Sequence, residues 1–333
     1  MLYEPVTQLQ PPLPPFAQLR DPSQLSLANS AVLFFAAVLC RASYAPTAAQ
    51  FTQAAQAVFG PSATVTFVPN TSATVPGYGI VVTPSGGAVV VISGTTNLNQ
   101  WLEQSLLSIP TYTNYGLTDS GEAADVYVTA ANAIDTVLTT LCPVTHNVLI
   151  TGHSMGGAVA QVLNYKQQFN GRNGNSEIIT FAQPKAGDST LAAGVNSGAN
   201  SYARLIQQGD VVPALPPSTS LFAQAFLSGL IPTLRSALAY WNEFAPPNTA
   251  PLYLDSLGTL EYGSEPSLFA ATVAAVINVN LGQPIGTVNA HLISTFANNL
   301  LQGVPSLTAM INQGWFNPTA IAQVNNALDN MGL

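Results

Sequence analysis

The sequence predicts an α/β fold in which a central, mostly parallel sheet is flanked by helices. Two observations carry that prediction. Helical patterns alternate with short β-rich runs along the chain, the pattern expected of strand–helix–strand units. Several of the runs, AVVVIS over Ala88–Ser93 and NVLIT over Asn147–Thr151 among them, are continuously apolar instead of alternating, as strands covered on both faces are. No internal repeat and no low-complexity linker divides the 333 residues, so a single domain over 1–333 is expected.

The elements follow in order. Residues 1–20, with PPLPP at 11–15, form a Pro-rich N-terminal arm. Asp21-Pro22 supplies a helix N-cap and a proline at the first helical position, opening a helix that runs to about residue 43. Its core, AVLFFAAVL over Ala31–Leu39, falls well short of the ~20 residues that cross a bilayer. It also starts too far from the N-terminus, with no basic segment before it, to be a signal peptide, so it reads as a buried helix. A second helix covers 47–59. Strands are expected at Thr64–Val68, Tyr78–Thr83 and Ala88–Ser93, the last two turning at Gly86-Gly87. A helix over Gly121–Leu141 precedes the strand Asn147–Thr151, and a helix over Met155–Phe169 precedes strands at Glu177–Phe181 and Ser201–Ile206. Beyond Asp210 the character changes. Leu221–Phe244 is apolar and helical, a hairpin joins Leu252–Asp255 to Thr259–Tyr262 around Gly258, and helices complete the chain.

Charge narrows the function classes. Charged residues are 7% of the chain and the net charge is −8, with only 7 Lys and Arg, against roughly 25% charged residues in an average soluble domain. So few cations cannot neutralise a phosphate backbone, which excludes a conventional nucleic-acid binder. They equally disfavour attraction to anionic membrane surfaces, so a neutral substrate is expected. Two cysteines, Cys40 and Cys142, with three histidines are too few for a structural zinc framework. The cysteines read as two buried thiols or as one bridge.

Gly152-His153-Ser154-Met155-Gly156-Gly157 lies between the strand NVLIT and the helix AVAQVLNYK. Chemistry demands this pattern. A nucleophile on a sharp strand-to-helix turn needs glycine two residues before and after it, so that strand and helix approach without a Cβ clash. The helix N-terminus then presents partial positive charge to an oxyanion forming beside the serine. A serine needs a base, and three histidines are available. His153 adjoins Ser154 and is expected to point away from it and pack. His146 precedes the strand, at the wrong end of a parallel sheet. His291, in VNAHLISTF, follows in the order serine, acid, histidine. The acid must then lie between them. Asp210, in QQGDVVPALPP directly after the strand SYARLI, is placed where a carboxylate can reach the histidine. Asp188 and Asp255 compete for the role, with loop capping as their plainer reading.

With these residues in view, the chain resembles the class 3 (fungal-type) lipases of the α/β-hydrolase superfamily. Five segments carry the likeness, together spanning about 88–297. VVVISGTTNLNQW resembles the family's oxyanion strand, with Gly94, Thr95 and Trp101 at the matching positions. ITGHSMGGAVAQV is similar to its nucleophile elbow, ITFAQPKAGD to its strand ending in G-Q-P with Ala182 in place of the glycine, GDVVPALPP to its acid loop, and AHLISTF to its histidine segment. The resemblance implies an α/β-hydrolase fold with a helical lid or cap insertion. It also implies Ser154 as nucleophile, Asp210 as acid, His291 as base, and an oxyanion hole from the backbone N–H groups of Thr95 and Met155. No metal or cofactor is implied. Two departures stand out: Ser93 replaces the arginine usual before the oxyanion glycine, and Asp119-Ser120-Gly121-Glu122 replaces H-x-G-F.

The implied activity is a serine carboxylic-ester hydrolase, foremost a triacylglycerol lipase acting on neutral lipid or ester, including at a lipid–water interface. Short-chain, feruloyl-type and polyester-degrading esterases and phospholipases share the machinery, and a non-catalytic lipid-binding protein is the remote alternative. In the lid position of the family stands TNLNQWLEQSLLSI, residues 96–109. Leu98, Trp101, Leu102, Leu106 and Ile109 recur there at helical spacing, giving an apolar face fit for a lid or for ordinary packing. A second apolar stretch, 219–247, includes Leu221, Phe222, Phe226 and Leu230 and reads as an inserted cap or as a core helix pair. Low charge and a lipid-facing family favour a secreted protein.

Overall fold

The computed structural model describes residues 27–70, 75–83, 87–96, 121–172, 175–198, 201–216, 244–247, 249–257, 259–263, 291–303 and 326. Within them lies an eight-stranded sheet whose spatial order is the order of the sequence: β1 (Thr64–Val68), β2 (Tyr78–Val82), β3 (Ala88–Ile92), β4 (Val148–His153), β5 (Ser176–Phe181), β6 (Ser201–Gln207), β7 (Leu252–Leu254) and β8 (Leu260–Tyr262). Strands β3 to β7 run parallel, and antiparallel pairs close the two edges. The expected α/β architecture and mostly parallel sheet are therefore observed.

Because the strand order never reverses, successive right-handed crossovers stack their helices on one face. Helices α3 (Asp125–Leu141), α4 (Met155–Phe169) and α5 (Ser189–Gly198) share a core with Ile80, Val90, Ile92, Val148, Ile150 and Ile178. The other face is left to the chain's outer helices. There α1 (Leu27–Ala42), α2 (Ala48–Phe59) and α6 (Ile293–Gly303) bury Val81, Val89, Val91, Leu149, Ile179 and Phe181. Alternate residues of one strand feed opposite cores, which is why AVVVI must be apolar throughout. Helix α1 is accordingly buried all round, with Val32 to Cys40 without a break below the surface. Among the described residues no helix is long and apolar enough to cross a membrane.

Some boundaries move. The helix expected from Gly121 begins at Asp125, because Ala123 makes a bridge to Gly187 and Gly121 takes φ +71°. Helix α5 was not expected. Its sequence STLAAGVNSG has weak propensity, but Asp188 Oδ1 accepts the Leu191 N–H at 2.8 Å, and Leu191 and Val195 are buried. Strand β4 continues two residues past Thr151, to His153. The arm over 1–20, Asp21-Pro22, Gly258, nearly all of 96–109 and most of 219–247, including Leu98, Trp101, Leu102, Leu106, Ile109, Leu221, Phe222, Phe226 and Leu230, lie outside the described residues.

Both cysteines are buried thiols, with no disulfide between them. Cys40 on α1 faces Thr151 Oγ1 at 3.3 Å, whereas Cys142 belongs to the core on the opposite face of the sheet. Burial pushes the Cys40 thiol up to about 12.

Candidate active site

In an open parallel sheet the loops beyond the carboxyl ends of the strands are where side chains from distant segments converge. Ser154 leaves the end of β4, Thr95 follows β3 by three residues, and Asp210 follows β6 by three. His291 heads the segment that becomes α6.

Ser154 sits at φ 56°, ψ −127°, a sparsely populated conformation costing of order 1–3 kcal/mol. Its surroundings enforce it. The Ser154 N–H donates to the Phe181 carbonyl at 2.8 Å. A Cβ on Gly152 would meet the Gly156 carbonyl oxygen at 2.2 Å, and one on Gly156 would meet the Ile92 and Ser93 oxygens at 2.4 Å. Strand β4, helix α4 and strand β3 are thus in backbone contact around the serine. Met155 opens α4, so its N–H has no acceptor within the helix and lies at the positive end of the helix dipole.

Three side chains then line up. Ser154 Oγ is 2.8 Å from His291 Nε2. His291 Nδ1 is 3.0 Å from Asp210 Oδ2 and 3.2 Å from Oδ1. The Asp210 carboxylate can only accept, so Nδ1 carries the imidazole proton and Nε2 is free to accept the serine O–H. Asp210 Oδ1 also accepts the Val212 N–H at 3.0 Å, which fixes the carboxylate. Relative exposures of 1%, 4% and 0% for Ser154, His291 and Asp210 leave water little access to these bonds, which strengthens them.

The segment carrying Thr95 is held without the missing arginine. Asn70 Nδ2 donates to the Gly94 carbonyl at 2.9 Å and to Ser93 Oγ at 3.3 Å, and Ser93 Oγ donates to the Gly77 carbonyl at 3.1 Å. The Gly94 carbonyl and the Thr95 N–H belong to one planar trans peptide and point opposite ways, so Asn70 sets the direction of the Thr95 N–H. Gly94 also has no room for a side chain: a Cβ there would lie 2.4 Å from Tyr44 Oη and 2.8 Å from Ser154 Cβ. Ala182, where the resembled family has glycine, takes φ +53°, a left-handed conformation costing an L residue about 1–2 kcal/mol.

The remaining candidates fall elsewhere. His146 is exposed ahead of β4. Asp188 caps α5, and Asp255 Oδ1 accepts the Leu257 and Thr259 N–H groups, both at 2.8 Å, across the β7–β8 turn. His153 is more than packing. Its Nδ1 lies 2.6 Å from Tyr44 Oη and its Nε2 2.7 Å from the His291 carbonyl oxygen. Burial first, then the neighbouring His291, holds its pKa well below the ordinary histidine value. Tyr44 and Asn70 carry no motif that could have marked them in the sequence. Among the described residues no group of three or more His, Cys, Asp or Glu could hold a metal ion. A buried serine hydrogen-bonded to a carboxylate-oriented imidazole, beside backbone N–H groups at a helix start, has the parts for acyl transfer.

The chain is similar to known proteins in part of its sequence and in its fold. Residues 89–220 match the family model described as Lipase (class 3). A lipase of Rhizomucor miehei is 35% identical over 83 residues, covering 24% of this chain and 23% of the relative. The match thus spans about a quarter of that relative's length. Among solved structures, a fungal lipase–inhibitor complex superposes with a TM-score of 0.53 at 17% identity, covering 84% of this chain and 97% of the other. A triacylglycerol lipase whose catalytic centre is a serine-protease triad does so with a TM-score of 0.51 at 17% identity, covering 79% and 92%. At these identities the structural likeness establishes the fold, which is that of the α/β-hydrolases.

Proposed function

We propose that this chain, whose residues 89–220 match the family model Lipase (class 3), is a serine carboxylic-ester hydrolase acting on acylglycerols. The observation that carries the proposal is the buried run from Ser154 Oγ to His291 Nε2 at 2.8 Å and from His291 Nδ1 to Asp210 at 3.0 Å. Ser154 Oγ attacks the ester carbonyl carbon while His291 Nε2 takes the hydroxyl proton. The carbonyl π electrons move onto oxygen, and the Thr95 and Met155 N–H groups receive that oxyanion. Collapse breaks the carbon–alkoxide bond, and the imidazolium returns its proton to the leaving alkoxide. Water, deprotonated by the same imidazole, then attacks the acyl-enzyme and regenerates Ser154. Asp210 stays ionised throughout, orienting the ring and stabilising its cation.

Acylglycerol as the substrate is supported by the low content of charged residues, above all of Lys and Arg, and by the name of the triacylglycerol lipase it resembles in fold. The near-complete burial of Ser154 and His291 fits an enzyme whose cover moves before an ester enters. The apolar segments 96–109 and 219–247 are the proposed cover, with Leu98, Trp101, Leu102 and Leu106 in one and Leu221, Phe222, Phe226 and Leu230 in the other. Action at a lipid–water interface and secretion complete the reading.

The test is the initial rate across p-nitrophenyl esters from acetate to palmitate, together with emulsified triolein, for the wild type and Ser154→Ala. The expected result is turnover of long-chain esters and triolein by the wild type and a loss in kcat of about 10⁶-fold in the variant. Hydrolysis confined to short esters would reduce the protein to an esterase, and turnover that survives Ser154→Ala would overturn the proposal.

A further inference from the structure

We infer that His153 is a positioning residue for acyl transfer: through Tyr44 it ties the backbone of the base, His291, to the backbone that carries the Thr95 N–H. The inference rests on the ester-hydrolase reading above and assigns a task to a side chain that reading leaves idle.

The direction of every bond in the connection is fixed by its ends. The Gly94 N–H can only donate, and it reaches Tyr44 Oη at 2.7 Å. The His291 carbonyl can only accept, and it faces His153 Nε2 at 2.7 Å. Nε2 therefore carries the proton of the His153 ring, which makes Nδ1 an acceptor. The Tyr44 O–H, 2.6 Å from Nδ1, donates to it while the phenol oxygen accepts from Gly94. One chain of three hydrogen bonds thus runs from the peptide before Thr95 to the main chain of His291. Its middle link, His153, is the residue before Ser154, so the three segments that must meet for acyl transfer are joined in one line.

Each segment needs this support for a different reason. His291 reaches the site from the start of α6 and not from a strand, so the sheet ladder does not fix its main chain. Gly94 lies past the last ladder residue of β3. The hydrogen bonds of Tyr44 and His153 go to each other and to the main chains of Gly94 and His291, so they act through the groups they hold. The two histidine rings are stacked at an angle with centroids 4.9 Å apart. A neutral His153 is therefore required beside a ring that becomes a cation during each turnover. The enclosure, with His153 only 4% exposed, keeps it neutral.

The experiment compares His153→Phe, His153→Gln, Tyr44→Phe and the double variant Tyr44→Phe/His153→Phe with the wild type. It measures kcat and KM on p-nitrophenyl acetate and the folded fraction of each protein by thermal melt. His153→Phe keeps a ring and removes both bonds. It is expected to lower kcat about 10²-fold, the effect of misplacing reacting groups by about an ångström, with KM within about twofold. Tyr44→Phe is expected to cost about tenfold, the equivalent of one hydrogen bond. His153→Gln, whose amide can still donate to the His291 carbonyl, is expected to recover most of the loss. Because the links act as one chain, the double variant should be no worse than His153→Phe alone. A kcat within threefold of wild type in folded His153→Phe, or strictly additive losses, would overturn the inference. Should His153→Phe fail to fold, undiminished kcat in both Tyr44→Phe and His153→Gln would do the same. Absence of Ser154-dependent turnover in the wild type would overturn the ester-hydrolase reading and this inference together.

Discussion

The two ends of β4 are both dense with buried polar groups, yet they are built for different purposes. At the amino end Arg172, fully buried, donates from Nε to Gln167 Oε1 at 2.7 Å, from Nη1 to the Pro143 and His146 carbonyls, and from Nη2 to the Cys142 carbonyl at 2.8 Å. It ties the end of α3 to the entry of the strand. A guanidinium bound by neutral carbonyls cannot exchange a proton near neutral pH, so this end is a static brace. At the carboxyl end the same strand delivers His153 and Ser154 into a line of imidazoles, hydroxyls and a carboxylate, groups that pass protons. The backbone there is strained at Ser154, while among the described residues the Arg172 end shows no such residue beyond a glycine at 171 with φ +91°. Burial of polar groups does not by itself mark a site; exchangeable protons on a strained backbone do.

The sharpest way to separate the ends is to remove the charge from one carboxylate. Asp210→Asn keeps an oxygen for the Val212 N–H but can no longer fix the proton on His291 Nδ1. A loss in kcat of about 10⁴-fold is expected, with a melting temperature near that of the wild type. Rates on p-nitrophenyl butyrate and a thermal melt read both quantities. The reverse pattern is expected from the brace. Arg172→Met strips donors from several buried carbonyls and should lower the unfolding free energy by about 2–4 kcal/mol, while kcat per folded molecule is unchanged. Denaturant unfolding and active-site titration with a fluorophosphonate check that pairing.

The smallest effect concerns pH. His153 is held neutral in the folded chain, its pKa lowered mainly by burial, whereas the unfolded chain binds a proton below the ordinary value of 6.5. Below that pH the unfolded state carries the extra proton, so the stabilisation is present above about 6.5 and is lost as pH falls. Between pH 6.5 and 5 stability should fall with a slope of at most one proton for this group, and His153→Phe should flatten the slope. An unchanged slope in the variant would assign the acid sensitivity to other groups.

The strand–turn–helix around Ser154 was legible because its physics is local. An apolar run ends, glycines flank a serine, and a helical pattern begins within a few residues. Asp210 was legible from its place just after a strand, and His291 because only three histidines compete. The support of the site was not legible. Tyr44, Asn70, Ser93 and His153 come together from the ends of α1, β1, β3 and β4, and no spacing in the sequence encodes such a meeting. Helix α5 escaped for another reason: Gly, Ser and Asn dominate its propensity, and tertiary burial of Leu191 and Val195 overrides it.

The placement of the two thiols has a practical side. Cys40 and Cys142 lie under opposite faces of the same sheet, so no native bond between them can form while the strands are paired, and the Cys40 thiol, raised to about 12, stays protonated and inert at neutral pH. The chain therefore takes its shape from packing alone, with no covalent staple to acquire. Its refolding yield should be the same with or without reductant, and it can be produced in a reducing or an oxidising host without a change in the product.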